Sequence, residues 1–494
     1  MFTGKPIFFS ALLLTGVNLL LRLVGTSFQV YLSSRIGAEG IGLLQLVLSL
    51  GSMAMVAGMA GIRTSTMYLT AEELGAKKEK NLPHVLSGCA LYSILCSGGV
   101  GALVYAFAPL LAENWIGNPD TVDSLRLYAV FLPVNCLCGV MVGYFTGAGK
   151  IRTLAAVEVA EQGFTMVCTI SLLTLWAGHN PEKCCMAVVM GSALGACLTL
   201  LCLTVLRLLQ RQRPGPTVPM GRRILNTAIP LALADDLRTG ITTVENLMVP
   251  KRLALYKLEQ SPLGAFGMVC GMVFPILMFP MAILFGLTEL LVPELARCRA
   301  AGSHSRVSHL VQKSLRVTLL YGTMCSGILF LNSEDLCSSL YHNEEAGVYL
   351  KWFSLLAAML YCDGVTDAMI KGLGQQKRSV YYNIFTNILD VIFLYLLLPV
   401  YGITGYFISF AVTHAINFFL SIRRLLKTTG ERIPLSVPLL TLGAGCAAAF
   451  MASHVNVPLI RTGCFLVIFT CLLFLMKILS KNDILWIRGL IYKK

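Results

Sequence analysis

Charged side chains recur within otherwise apolar stretches of this sequence, and the stretch 224–249 is the richest. It contains Asp235, Asp236, Arg238 and Glu245. At about 100° per helical residue, Asp235, Arg238 and Glu245 share one face, and Asp236 points elsewhere. An Asp235–Arg238 ion pair would neutralise the helix for packing. The second acid on that face, Glu245, favours a water-filled cavity, because ionisable groups inside a membrane are costly and mark functional sites.

Two arginines at similar depth are candidates for binding an anion. Arg22 lies 15 residues past Ile7 and Arg238 lies 14 past Ile224, so both are roughly 21–23 Å from the cytoplasmic edge of their helices. Guanidinium groups bind phosphate oxygens in pairs, which suits a diphosphate. Arg63, near the cytoplasmic end of the second apolar stretch, is a candidate entry contact. In the alternative interpretation, the Arg63 side chain only extends to the membrane interface and binds no substrate.

A second polar group is a candidate site for a coupling cation. Asn383, Asn387 and Asp390 recur at i, i+4 and i+7 and share a helical face. With Asp235 they offer oxygen ligands, although helix–helix hydrogen bonding is the commoner use of such residues. Two more acid pairs stay open between a cavity role and a packing role: Glu158 with Glu161, and Asp363 with Asp367. The sequence lacks zinc-ligand spacing and nucleotide or hydrolase motifs, so we predict no catalytic residue, metal centre or cofactor.

The elements that must position these residues are membrane-spanning helices. Of the 494 residues, 56% are hydrophobic and only 13% are charged, against about 25% charged in soluble domains. This composition excludes a soluble enzyme and a secreted domain. It also excludes a nucleic-acid-binding protein despite a net charge of +14, because basic residues beside apolar segments usually set membrane topology. Fourteen stretches are long and apolar enough to span a bilayer: 7–32, 41–68, 84–108, 125–146, 153–177, 184–206, 224–249, 263–287, 311–331, 347–370, 379–399, 402–421, 435–452 and 459–479.

The distribution of lysine and arginine predicts the orientation. With fourteen spans, 28 of the 39 basic residues fall on the side of the N-terminus and six on the other side. Cytoplasmic loops carry the excess of basic residues. We therefore expect both termini to be cytoplasmic and the protein to lie in the cytoplasmic membrane.

An internal repeat predicts the domain organisation. Six pairs of matching residues are separated by 225 positions: Gly42 and Gly267, His84 and His309, Arg126 and Lys351, Gly147 and Gly372, Gly149 and Gly374, Arg152 and Lys377. A repeat of six spans places both copies in the same orientation, and transporters built this way bind substrate between the copies. We predict an N-terminal six-helix lobe over 1–206, a basic linker over 207–223, a C-terminal six-helix lobe over 224–421, and two further helices with a short tail over 422–494.

Three sequence stretches resemble a known transporter family. They are RLVG at 22–25 with RIG at 35–37, AIP at 228–230 leading to VPKRL at 249–253, and YGITG at 401–405. Together with the arrangement of six, six and two spans, they are similar to the multidrug/oligosaccharidyl-lipid/polysaccharide exporter superfamily. Within it the chain most resembles the stage V sporulation protein B branch, relatives of the lipid II flippase. Phe28 stands where lipid II flippases usually carry a second arginine of the first helix.

The resemblance implies a flippase for a lipid-linked oligosaccharide or peptidoglycan-type precursor, working by alternating access. It further implies coupling to Na⁺, H⁺ or the membrane potential, and a link to sporulation. A cation-coupled exporter of drugs or metabolites is the alternative, since a fold alone does not decide the substrate. The expected partners are the bilayer and an anionic lipid-linked substrate, without nucleic acid, and the expected state is a monomer.

Overall fold

The structure, a computed structural model, describes residues 5–76, 78–178, 180–209, 220–256, 261–431, 434 and 436–478. The described residues form sixteen α-helices: α1 (Lys5–Met59), α2 (Ile62–Gly75), α3 (Leu82–Leu110), α4 (Val122–Gly147), α5 (Ile151–Leu172), α6 (Pro181–Leu208), α7 (Gly221–Leu253), α8 (Pro262–Met268), α9 (Phe274–Met278), α10 (Met281–Ala300), α11 (His304–Tyr341), α12 (Glu344–Ser354), α13 (Ala357–Gly372), α14 (Gln376–Thr429), α15 (Ser436–Ala452) and α16 (Pro458–Leu475). Most of the predicted linker, residues 210–219, lies outside the described residues.

The length and polarity of these helices confirm an all-α, multi-pass membrane protein. Among the described residues, eight helical segments are long and apolar enough to cross a membrane, and the number rises to ten when each of two bent helix pairs counts as one span. The predicted total of fourteen spans stays a prediction. The helix α7 is not among the eight to ten, because it carries the charged residues from which the sequence argument began.

Two helices are far longer than a bilayer is thick. The helix α1 has 55 residues and α14 has 54, about 80 Å each at 1.5 Å per residue, against a hydrocarbon core of about 30 Å. Each is interrupted at a glycine with non-helical backbone. Gly37 has φ 71° and ψ 179°, and Gly402 has φ 57° and ψ −136°. These backbone angles are accessible almost only to glycine, so each glycine makes a sharp turn between two helical arms.

The chain packs as two compact units. The N-terminal unit comprises Met1–Gly271 with Val391–Ile403, and the C-terminal unit comprises Met272–Asp390 with Thr404–Lys494. The helix α7 therefore packs within the N-terminal unit, whereas the repeat assigns it to the second lobe. The lobe boundaries predicted from the repeat stay a prediction, because compactness and internal duplication are different properties of a chain.

Close helix packing in the N-terminal unit depends on small residues at helical spacing. Gly139, Gly143 and Gly147 on α4 face the sulfur of Met59, the Arg63 carbonyl and the Met67 carbonyl in turn. A Cβ atom at Gly147 would lie 2.5 Å from the Met67 oxygen. Small residues every fourth position let membrane helices approach backbone to backbone. This seam fixes the position of α2, which carries Arg63, against α4.

Glycines related by the offset of 225 also make reciprocal contacts. The backbone carbonyl of Leu263 leaves no room for a Cβ atom on Gly42, and that of Ala38 leaves none on Gly267. Ala38 and Leu263 are themselves 225 positions apart. Reciprocal contact between equivalent positions is the signature of a two-fold interface. Residues 38–42, at the start of the second arm of α1, therefore meet α8 through equivalent surfaces of the two segments.

The turns that follow α4 and α13 have the same geometry. Gly149 and Gly374 both have φ +70°. The amide of the next residue closes each turn, Lys150 donating to Phe145 at 2.9 Å and Gln375 to the carbonyl at position 370 at 3.0 Å. These two acceptors are again 225 positions apart. Each compact unit thus contains one copy of the same helix ending.

Candidate transport site

The helix α7 carries exposed charged residues and, further along, polar residues that hydrogen-bond to α1. The Thr243 hydroxyl donates to the Ser49 carbonyl of α1 at 3.2 Å, and the Asn246 amide donates to the Ser49 hydroxyl at 2.9 Å. Nearer the start of the helix, Asp235 and Arg238 are exposed. Because α7 is a continuous helix from Gly221 to Leu253, the shared face predicted for Asp235, Arg238 and Glu245 is present.

The helical phase of α7 also determines where its other polar side chains lie. Glu245 is half-buried, and the Thr242 hydroxyl between it and Arg238 donates to the Arg238 carbonyl at 3.3 Å. Asp236 is turned away from this face, as predicted, and interacts electrostatically with Tyr92 of α3. One of its carboxylate oxygens is buried without a hydrogen-bond partner among the described residues. Asp236 is therefore a polar group of the α3–α7 contact.

The start of α7 is fixed to α2 by an ion cluster. Arg223 donates to Glu73 at 2.7 Å and to Glu72 at 2.9 Å. The other carboxylate oxygen of Glu73 accepts the Asn81 amide at 2.8 Å. Glu73 is nearly inaccessible, with 4% of its side chain exposed, and a buried carboxylate is stable only when it is paired and hydrogen-bonded. The sequence analysis did not identify this cluster, because its members are 150 positions apart.

The other two predicted arginines also lie in the N-terminal unit. Arg22 is half-buried on the first arm of α1, and Arg63 is exposed in the first turn of α2. Arg63 interacts electrostatically with Glu158 on α5. Glu161, one turn further along α5, accepts the hydroxyl of Thr199 at 2.7 Å. The three predicted guanidinium groups therefore belong to three helices, α1, α2 and α7, of one compact unit.

The predicted cation ligand Asp390 lies in the C-terminal unit. It is buried, and one carboxylate oxygen accepts hydroxyl hydrogen bonds from Ser409 at 2.6 Å and Thr413 at 3.1 Å. Both hydroxyls belong to the arm of α14 that follows Gly402. Asn383 donates instead to the Ser379 carbonyl of its own helix at 3.0 Å. The hydrogen-bond donors described for the Asp390 carboxylate are thus hydroxyls, and His414 interacts with it electrostatically.

A second acid, half-buried, lies in the same unit. Asp363 of α13 accepts the Asn417 amide at 2.9 Å, and the Asn417 carbonyl accepts the Thr386 hydroxyl at 3.4 Å. The other carboxylate oxygen of Asp363 is buried without a hydrogen-bond partner among the described residues. Ser409, Thr413 and Asn417 were missed from sequence although they recur at every fourth position. That spacing within the apolar stretch 402–421 is the signal that identifies them.

The predicted residues therefore divide between the two units. Arg22, Arg63, Asp235, Arg238 and Glu245 belong to the N-terminal unit. Asn383, Asn387 and Asp390 belong to the C-terminal unit, where Asn387 is half-buried. The anion site and the cation site remain predictions, each with its described residues now placed on particular helices.

A family model matches most of this helical framework. The MatE model matches residues 6–170 and again residues 252–396. The chain belongs to the MatE family. This match confirms the resemblance read from the three sequence stretches. Shifted by 225 positions, its second segment corresponds to residues 27–171, nearly all of which lie in the first segment.

Individual proteins similar to this MatE chain fall on both sides of the functional question. Stage V sporulation protein B of Bacillus subtilis (strain 168) is 22% identical over 417 residues, which cover 80% of this chain and 78% of that protein. The inward closed structure of the lipid II flippase MurJ superposes with a TM-score of 0.70 at 12% identity, covering 93% of this chain and 98% of that one. An inward-facing multidrug resistance MATE family transporter superposes with a TM-score of 0.68 at 14% identity, covering 85% and 100%. At these identities the structures establish a shared fold.

Proposed function

We propose that this protein is a transporter of the cytoplasmic membrane that moves a lipid-linked anionic substrate outward by alternating access. The observation that carries the proposal is the exposure of Asp235 and Arg238 on α7, a helix whose later residues hydrogen-bond to α1. Charged groups on a membrane helix face water or protein. A guanidinium in a water-filled cavity is suited to a phosphate or pyrophosphate group.

The similarity to stage V sporulation protein B and to the lipid II flippase supports a lipid-linked oligosaccharide or cell-wall precursor as substrate. Arg22, Arg238 and Arg63 are the proposed contacts to its pyrophosphate. Glu245 and Asp235 are the proposed acids that offset these charges when the site is empty. In this proposal the lipid tail stays in the bilayer while the head group crosses.

We further propose the architecture of fourteen spans in two parallel repeats. The long helices α1 and α14 each supply two spans, joined at Gly37 and Gly402. The matching turns after α4 and α13, the reciprocal contact of Gly42 and Gly267, and the two segments of the family match all support the repeat. Both termini are then cytoplasmic, in agreement with the distribution of basic residues.

The alternative is a cation-coupled exporter of drugs or metabolites. It is favoured by the buried carboxylate of Asp390 and the half-buried carboxylate of Asp363 in the C-terminal unit and by the similarity to a multidrug resistance transporter. Cationic drugs require a cavity with net negative charge, whereas the proposed site in the N-terminal unit combines three arginines with two acids. This balance favours the anionic substrate.

The test is the binding of a polyprenyl-pyrophosphate sugar to the purified protein. Arg22→Ala and Arg238→Ala should each weaken binding roughly ten- to a hundredfold, because a charge-assisted hydrogen bond contributes about 1.5–3 kcal/mol. Lysine should also impair binding, because an ammonium cannot reproduce the flat pair of guanidinium donors. It should impair binding less than alanine does, because it keeps the positive charge. Arg152→Ala, a change of an exposed arginine at the start of α5, is the matched control and should bind normally.

Two outcomes would decide against the proposed substrate. Unchanged affinity in both alanine variants, at normal membrane levels, would refute the phosphate contact. Unchanged pyrophosphate binding together with lost efflux of a cationic dye would assign the protein to the drug exporters.

A further inference from the structure

An apolar groove lies between α3 and α7 of the N-terminal unit. Its volume is about 470 Å³, and its lining includes His84, Leu91 and Leu95 from α3 and Ile224 and Leu225 from α7. Leu91 and Leu95 are 60% and 67% exposed. An apolar surface of this kind on a membrane-spanning helix is covered by lipid rather than by water.

The length of the groove matches one lipid chain in one leaflet. From His84 to Leu95 the groove extends about 16 Å along the axis of α3, about half of the 30 Å hydrocarbon core. It begins in the first turn of α3 and in the first turn of α7, the ends that the distribution of basic residues assigns to the cytoplasm. A fatty acyl chain of the cytoplasmic leaflet fits this span, whereas a long polyprenyl chain exceeds it.

The cytoplasmic end of the groove is positively charged. Arg222, next to the groove-lining Gly221, is exposed, and so are Lys78 and Lys80 just before α3. Glu79, also exposed, offsets one of these charges. The two acids at the end of α2, Glu72 and Glu73, share Arg223 and so leave one net negative charge. Together these described residues keep one net positive charge. Basic groups at the cytoplasmic end of a cleft between membrane helices suit an anionic lipid head group.

We propose that the α3–α7 groove binds an anionic phospholipid of the cytoplasmic leaflet, with one acyl chain along Leu91 and Leu95 and the phosphate beside Arg222. This lipid is a resident ligand, distinct from the transported substrate. It fills the space between α3 and the first turns of α7. The part of α7 that precedes Asp235 is therefore stabilised against α3 when the lipid is bound.

The experiment measures lipid retention by native mass spectrometry. Protein is purified from vesicles of equal parts dioleoylphosphatidylglycerol and dioleoylphosphatidylcholine. The wild type should retain phosphatidylglycerol preferentially. Gly88→Phe fills the groove, because a Cβ atom at Gly88 meets only the flexible end of Ile224 and the Met220 side chain, and it should reduce retention about tenfold by removing the apolar area that the chain buries.

Matched variants make the result specific. Gly99→Phe introduces the same side chain on the same helix where nothing lies within 4 Å, and it should retain lipid like the wild type. Ser87→Trp, at an exposed position in the groove lining, fills the same space and carries the test if Gly88→Phe does not fold. Arg222→Gln should keep lipid binding but lose the preference for phosphatidylglycerol.

Three results would overturn the proposal. The first is wild-type retention in the groove-filling variants that fold. The second is equal retention of phosphatidylcholine and phosphatidylglycerol by the wild type. The third is displacement of phosphatidylglycerol from the wild type by a polyprenyl phosphate, which would assign the groove to the tail of a transported lipid.

Discussion

At the scale of single residues, the carboxylate of Asp390 has the most defined surroundings. It is 7% exposed, and its two described donors are neutral hydroxyls, Ser409 and Thr413. Hydroxyls can turn their oxygen lone pairs toward a cation as easily as they donate to a carboxylate. In the proposed cation site, these three oxygens are the candidate ligands.

Asp390→Asn tests this cation site. Asparagine keeps an oxygen that accepts from Ser409 and Thr413 but loses the charge that attracts a cation. At a Na⁺ concentration a hundred times the dissociation constant, binding should stabilise the wild type by about 2.7 kcal/mol. The wild type should therefore melt at a higher temperature in NaCl than in choline chloride. The variant should lose this increment.

Asp120→Asn, at an exposed position outside the long helices, is the matched control and should keep the Na⁺ increment. An unchanged increment in Asp390→Asn would show that the carboxylate serves packing. Asp235→Asn, measured beside it, tests the second predicted acid of the cation site in the same way.

The helical face that a residue occupies could be predicted from the sequence, but the residues it contacts could not. The period of 3.6 residues was sufficient to place Asp235, Arg238 and Glu245 on one face of α7. It did not identify Ser409 or Thr413 as donors to Asp390, because that pairing depends on how two helical arms meet. Periodicity reports which face a residue occupies, and tertiary packing decides what that face contacts.

At the scale of helices, Gly37 separates the two arms of α1. Its φ of 71° with ψ of 179° lies in a region that side chains exclude. No atom lies within 4 Å of the position a Cβ would take at Gly37 or at Gly25. The two glycines therefore differ in backbone conformation and not in available space, and they form a matched pair.

Gly37→Ala should destabilise the protein by about 1–3 kcal/mol, the cost of strained backbone at a residue with a side chain. Gly25→Ala, within the helical part of α1, should be neutral or stabilising, because alanine favours helix over glycine. Thermal unfolding of the two purified variants in the same detergent measures the difference. Equal melting temperatures would contradict the role assigned to Gly37.

Hydropathy predicted where the apolar stretches lie but not how they join. The stretches at 379–399 and 402–421 follow each other almost without a loop, and the structure merges them into α14 with a turn at Gly402. The stretch at 224–249 is too polar to count among the apolar spans, although α7 runs unbroken through it. Charged residues lower the mean hydropathy of a segment whether they face a cavity or solvent.

At the scale of the whole molecule, topology is the property that the sequence predicts most directly. In a cysteine-free background, Glu344→Cys should be labelled from outside by a membrane-impermeant maleimide. Glu344 is exposed in the first turn of α12, and its change leaves the Asn343 cap intact. Lys80→Cys should be labelled only after permeabilisation.

The opposite labelling pattern would refute the predicted orientation. Labelling of both positions from outside would require an even number of crossings between them, whereas the arrangement of fourteen spans places seven there. Variants of the same two positions to serine, carried through the same procedure, control for reaction at other nucleophiles.

The matching residues that predict an internal repeat include several glycines, because glycine has few substitutes at a close helix contact. Gly147 and Gly372 both lie against a backbone carbonyl, those of Met67 and Val292, which are again 225 positions apart. The compact units were not visible in sequence. Whether α7 packs with the helices before it or after it depends on contacts such as Arg223 with Glu73, whose partners are distant in the chain.

The one-residue turns at Gly37 and Gly402 have a consequence for the biosynthesis of the protein. A turn of this length leaves almost no polar chain to be translocated between the two arms of α1 or of α14. If the first arm crossed the bilayer alone, the short junction would hold the next apolar stretch among the polar head groups, which is unfavourable. Each pair should enter the membrane together as a helical hairpin. A ribosome paused between the two arms should therefore hold a nascent chain that alkaline carbonate still extracts.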